Sequence, residues 1–272
     1  MSHCEHESIA DILHHINPDY FTSFDRRKEY VRPGLMCVAC ADSRIVPDEL
    51  FSLPPGEEFL RKPLGGFLPR DLTKEAGLNA WFSLTAGIKK LNKIILVAHS
   101  DCAAGSAALN YPSVESIPAD HPESNNLRAI QNYLFMIGED LVSLSEKCRE
   151  EARGNELEAV DRMTKALAVR TLHNLLGYKV CENRGKTISQ AVDDGEIDVS
   201  LIYVDLGVVL STGQSLRPPC IEYYDIASES FRVFDAARTS TVVHVSMQDG
   251  HEEECGCQKV AGGLSGREFS PR

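Results

Sequence analysis

Two short runs in this chain carry residue types that bind soft metal ions: Cys40-Ala41-Asp42-Ser43-Arg44 and His99-Ser100-Asp101-Cys102. Two thiolates and one imidazole fit a tetrahedral zinc ion. Three protein ligands leave a fourth position for water, so Cys40, His99 and Cys102 read as a catalytic rather than a closed structural centre. The chemistry implied is attack by metal-bound hydroxide, because zinc brings the pKa of bound water to about 7. Mg and Ca are disfavoured because they take oxygen ligands; Fe and Co compete by availability. Two thiolates also donate more negative charge than imidazoles, which makes the bound water less acidic than at a three-histidine site. The second ring nitrogen of His99 needs an acceptor that the sequence does not identify.

Each motif follows an apolar run of strand type, residues 35–39 and 94–98. Residues 59–61 read as a further short strand, and residues 199–210 as a long one. Residues 223–234 resemble a strand pair. Between them lie helical patterns at 8–15, at 48–52 with Pro47 marking its start, and at 76–91, where the apolar spacing is helical. Two long helices are expected at about 127–153 and 157–176, and another helix starts within 186–193. The segment 110–126 carries Pro112, Pro118 and Pro122 and reads as a loop leaving the core. Strands alternating with helices imply an α/β fold, a mostly parallel sheet of about four to five strands flanked by helices. Ligands of such sheets collect at the carboxyl ends of the strands where strand order reverses, which is where both motifs fall. Cys37 forms Cys-x-x-Cys with Cys40. An alternating strand points residues three apart to opposite faces, however, so Cys37 belongs to the core.

The length of 272 residues suits one large domain with appendages. We divide the chain into an N-terminal helical arm (1–30), an α/β zinc-enzyme domain (31–248) and a flexible tail (249–272). A net charge of -12 without a Lys/Arg stripe argues against nucleic acid and favours a small-molecule substrate. There is no signal-peptide pattern and no apolar run of the ~20 residues that a membrane span needs. Nine irregularly spaced cysteines are unlike a disulfide framework, so a cytoplasmic location is expected. His3, Cys4 and His6, and at the other end His251, Cys255 and Cys257, could hold a second metal but read as adventitious terminal clusters.

Cys-x-Asp-Ser-Arg followed by His-x-x-Cys resembles the β-class carbonic anhydrases. Val46-Pro47-Asp48, Ala103-Ala104-Gly105, and the strand ending before Ser211-Thr212-Gly213 extend the likeness over residues 37–213. The resemblance implies that Cys40, His99 and Cys102 bind Zn2+ and that Asp42 and Arg44 form the family's catalytic dyad. Asp42 would accept a hydrogen bond from the hydroxide and aim it at carbon dioxide, while Arg44 would keep Asp42 off the metal. It also implies hydration of carbon dioxide to bicarbonate and a proton, in a homodimer or a multiple of dimers. Two departures stand out. The family's Gln near a Pro is absent from residues 26–33, and its Arg-Asn is replaced by Arg61-Lys62, followed by Pro63-Leu64-Gly65-Gly66-Phe67-Leu68, which predicts a more apolar surface beside the site. The same metal chemistry would suit a hydrolase of carbonyl sulfide or carbon disulfide. A non-catalytic zinc- or redox-responsive binding protein is the alternative from another class, and an intact Asp42 and Arg44 favour the enzymes.

Overall fold

Strands form where apolar residues run almost without interruption. Leu35–Ala39 (β1) and Lys93–His99 (β3) have this composition, suited to the middle of a parallel sheet covered on both faces. The computed structural model describes residues 35–52, 58–71, 93–179, 186–209 and 215–234. In it, β1 pairs in parallel with Glu58–Arg61 (β2) on one side and with β3 on the other, and β3 pairs in parallel with Asp198–Asp205 (β4). Two short strands, Val208–Val209 (β5) and Ser215–Arg217 (β6), form a separate antiparallel pair among the described residues. The hairpin Cys220–Asp225 (β7) and Ser230–Val233 (β8) extends the main sheet antiparallel from β4, giving the order β2-β1-β3-β4-β7-β8. The parallel part is as expected, and the hairpin brings the sheet to six strands.

The helices are Pro47–Leu50 (α1), Ala103–Asn110 (α2), Ser124–Phe135 (α3), Leu141–Glu151 (α4), Glu156–Gly177 (α5) and Ile188–Asp193 (α6). Helix α5 lies across one sheet face, where Ala168, Leu172 and Leu175 bury Met36, Val38, Leu96, Leu201 and Tyr203. The period-two burial of β4 shows that face directly: Val199, Leu201, Tyr203 and Asp205 point inward. A second cluster joins α2, α4 and α5 through Ala108, Leu109, Cys148, Met163 and Leu167, and it reaches Cys40 and Cys102. Gly105 lets α2 lie close on α5; a Cβ there would stand 2.0 Å from Thr164 Oγ1.

Three expectations are corrected. The long helix over 127–153 is two helices, because Gly138 takes a φ of +79° and Asp140 caps α4 by accepting from the N–H groups of Val142 and Ser143. The segment after Asn110 does not leave the core; Ile117, 4% exposed, packs with Ala107 and Leu127. The strand expected at 199–210 ends at Asp205, and Gly207 turns the chain with φ +76° where a Cβ would meet Arg217 O at 2.7 Å. Cys37 is buried beside Ile45 and Val97 as expected. The helical patterns at 8–15 and 76–91, the arm 1–30, the tail 249–272 and both terminal Cys/His clusters lie outside the described residues.

Candidate metal centre

From β1 the chain steps to β2 on one side, and β3 then enters on the other, so strand order reverses between β1 and β3. Both motifs emerge at the carboxyl ends of this adjacent pair, the crevice where such sheets bind ligands. Cys40 directly follows β1, His99 ends β3, and Cys102 is the residue before α2. Asp101, with φ 54°, makes the left-handed turn between the last two.

The side chains converge. Sγ of Cys40 and Sγ of Cys102 are 4.0 Å apart, and with a His99 ring nitrogen all three ligand atoms lie within 4.8 Å of one another. All three residues are buried, His99 at 0% exposure. Nδ1 of His99 is 2.7 Å from the backbone carbonyl of Ser100, which supplies the acceptor the sequence left unidentified and places the proton on Nδ1. Nε2 is then left with its lone pair, fully buried and without a hydrogen-bond partner among the described residues. A buried orphan nitrogen facing two sulfurs is the donor set of a thiolate-imidazole metal site.

Charge reinforces the geometry. Hydrogen bonding from Cys102 brings the Cys40 thiol down to about 4 against the effect of burial, with His99 and the Asp42 N–H helping. The Asp42 N–H lies 3.4 Å from Cys40 Sγ. Hydrogen bonding to Cys40, then burial, pushes the Cys102 thiol far up, while the N–H groups of Gly105 and Ala104 at the start of α2 oppose this. Burial disfavours a charged His99 ring, but Cys40, the Ser100 carbonyl and Asp42 together raise its pKa. A cation entering this cluster would displace the remaining thiol proton, as metal binding to cysteine requires.

The side chains of Asp42 and Arg44 are in direct contact. The guanidinium grips the carboxylate through Nε to Oδ1 at 3.0 Å and Nη2 to Oδ2 at 2.7 Å, and the Arg44 N–H donates to Oδ1 at 2.9 Å. Those bonds hold Asp42 well below the usual carboxylate range despite partial desolvation. Arg44 also reaches the other motif, donating from Nη1 to Asp101 Oδ2 at 2.7 Å and from Nη2 to the Asp101 carbonyl at 3.0 Å. One side chain thus ties the loop after β1 to the loop after β3. Oδ2 of Asp42 stands 3.9 Å from His99 Nε2, beside the point on which the ligand atoms converge.

Sequence reasoning missed the roles of Asp101, the Ser100 carbonyl and Lys62, whose Nζ donates to the carbonyls of Asp42 and Ile45. The apolar surface predicted at residues 63–68 is corrected: Phe67 and Leu68 are 0% and 1% exposed, facing the core. Gly66, with φ +72°, approaches the strand so closely that a Cβ would lie 3.1 Å from Cys40 N, and Pro63 O accepts from Ala41 N at 3.0 Å. That run is a floor under the Cys40 loop. The Gln-less segment 26–33 lies outside the described residues. A second cluster, Asp205, Cys220 and Glu222, also brings ligand-type atoms together, but Arg217 and Lys165 occupy its carboxylates.

Comparison with known proteins follows the same outline. The family model described as Carbonic anhydrase matches residues 35–208. A carbonic anhydrase of Pseudomonas aeruginosa is 30% identical over 87 residues, covering 32% of this chain and 40% of the relative. One of Synechocystis sp. is 25% identical over 149 residues, covering 51% of this chain and 54% of the relative. The chain therefore spans about half the length of these curated relatives. Among solved structures, the β-carbonic anhydrase CcaA aligns over 84% of this chain and 91% of that one, with TM-score 0.62 and 17% identity. The Coccomyxa β-carbonic anhydrase aligns over 78% and 82%, with TM-score 0.51 and 19% identity. At such identities it is the fold that is shared.

Proposed function

Since this chain belongs to the carbonic anhydrase family and has the fold of its β class, we propose that it hydrates carbon dioxide reversibly to bicarbonate and a proton at a zinc ion held by Cys40, His99 and Cys102. The observation that carries this reading is the convergence of two buried sulfurs and the orphan Nε2 of His99 beside a carboxylate clamped by arginine. Zinc bound there would supply a Lewis-acidic position at which water ionises near neutral pH.

The protein's own residues do the rest. Asp42 stays ionised through the neutral range because Arg44 stabilises its charge, so it acts only as a hydrogen-bond acceptor. It therefore orients the attacking water by accepting a hydrogen bond from its O–H. Arg44 fixes that carboxylate by a two-nitrogen grip and denies it the swing toward His99 Nε2. The bond from His99 Nδ1 to the Ser100 carbonyl holds the imidazole in the tautomer that a ligand needs.

We further infer that residues 31–248 form the catalytic domain and that the chain works as a homodimer or a multiple of dimers. We place it in the cytoplasm: Cys40, Cys102, Cys148 and Cys220 form no disulfide among the described residues, in keeping with a reducing compartment. Among the described residues, no helix is long and apolar enough to cross a membrane. Stopped-flow hydration by zinc-replete protein tests the activity, with carbonyl sulfide and carbon disulfide assays on the same preparation. Hydration well above buffer is expected. Sulfide release without hydration would make the hydrolase reading primary, and silence toward all three substrates would leave a non-catalytic zinc protein.

A further inference from the structure

We propose that Lys62 is a positioning residue that staples the Asp42 loop and so keeps the Asp42 carboxylate off the metal; this rests on the zinc-centre reading above. Lys62 follows the last residue of β2, and its half-buried ammonium donates to the carbonyls of Asp42 at 3.0 Å and Ile45 at 2.8 Å. Those carbonyls mark the two ends of the turn that carries Arg44, a turn closed on itself by Ile45 N–H to Asp42 O at 3.2 Å. The next residue, Pro63, holds the start of the same turn through its carbonyl to Ala41 N–H. The loop is thus tied from below by Lys62 and Pro63, and from the side by Arg44 through Asp101.

The consequence for Asp42 follows from distance. Its Oδ2 already lies 3.9 Å from His99 Nε2, so only a small rotation of the turn would bring an anionic oxygen to the metal position. An ionised carboxylate is a good zinc ligand and would occupy the position water needs. Arg44 resists this from the side, through Asp101 on the loop after β3, but does not fix the turn from below. Lys62 is anchored on a different element, at the end of a sheet strand, and its compact three-donor charge suits two carbonyl oxygens at once.

The test compares Lys62→Met with Lys62→Arg and Lys62→Gln. In metal-free protein, amide exchange of the segment 41–46 should accelerate on the order of tenfold in Lys62→Met, as expected when charge-assisted hydrogen bonds are lost, and less in Lys62→Gln. In cobalt-substituted protein, the visible spectrum of Lys62→Met should shift as a carboxylate enters the metal's ligand set. Adding Asp42→Asn should return it toward wild type, and Lys62→Arg should keep the wild-type spectrum. On zinc-loaded enzyme, kcat should fall about tenfold with KM nearly unchanged, the pattern of a lost arrangement rather than lost binding. Wild-type exchange and spectrum in Lys62→Met would overturn the proposal, as would failure of the wild-type protein to take up metal. Cobalt uptake without carbon dioxide hydration would overturn the proposed activity alone, leaving the Lys62 readouts in force.

Discussion

Gly105→Ala probes how far the metal centre depends on helix packing. The added methyl would stand 2.0 Å from Thr164 Oγ1 and 3.1 Å from Thr164 Cβ, both on α5. The hydroxyl cannot easily turn away, because Thr164 is 0% exposed and donates to Val160 O at 2.9 Å. Restoring ordinary van der Waals separation therefore requires α2 to lift from α5 by about 1 Å, at a cost of ~1–3 kcal/mol typical of overpacking. For a domain of this size that lowers Tm by roughly 2–12 °C. Cys102 immediately precedes α2, so the lift carries its sulfur with it. Metal-ligand distances tolerate only about ±0.2 Å, and zinc affinity should fall ~10–100-fold. Calorimetric melting and zinc titration against a competing chelator measure the two effects on one preparation. Adding Thr164→Ala removes the hydroxyl, leaves the 3.1 Å contact with Cβ as the tightest of those given by Thr164, and should recover most of both losses. Wild-type Tm and zinc affinity in Gly105→Ala, or no recovery in the double variant, would refute this coupling.

Cys102→Ser exchanges a thiolate for a hydroxyl that does not ionise, so elemental analysis should show zinc affinity at least ~100-fold lower; full zinc retention would remove Cys102 from the ligand set. Arg44→Ala and Asp42→Ala should each cost on the order of 10² or more in hydration while leaving zinc bound. With 45% of the Arg44 side chain exposed, the stability change should stay within ~1 kcal/mol, and near wild-type turnover in both variants would take the dyad out of the mechanism. Light scattering at micromolar concentration should give a dimer or a multiple of it, and a monomer would contradict the assembly we infer.

Much of the fold was legible because its signals are local. Near-continuous apolar runs marked β1 and β3, and Pro47 marked the start of α1. Other local signals were present and outweighed by periodicity: Gly138 and Asp140 divide what reads as one helix, and Gly207 stops what reads as one strand. A helical or alternating pattern persists across a single break, since a few residues beyond it resume the same face.

At the site, the sequence by itself determined which atoms could bind a metal. Thiolates, an imidazole and an Asp two residues from an Arg are chemical identities that no fold alters. Only the tertiary structure decided what surrounds them. The Ser100 carbonyl that directs the His99 tautomer is a backbone atom invisible to residue type. Asp101 is reached by Arg44 because β1 and β3 are neighbours in the sheet. Phe67 and Leu68 look like surface in a linear reading and are core because Gly66 lets the chain pass beneath Cys40. Lys62 acquires its place over two carbonyls only when β2 aligns beside β1. Chemical capacity is local to a residue, whereas orientation, desolvation and restraint come from segments far apart in the chain, and only packing brings those together.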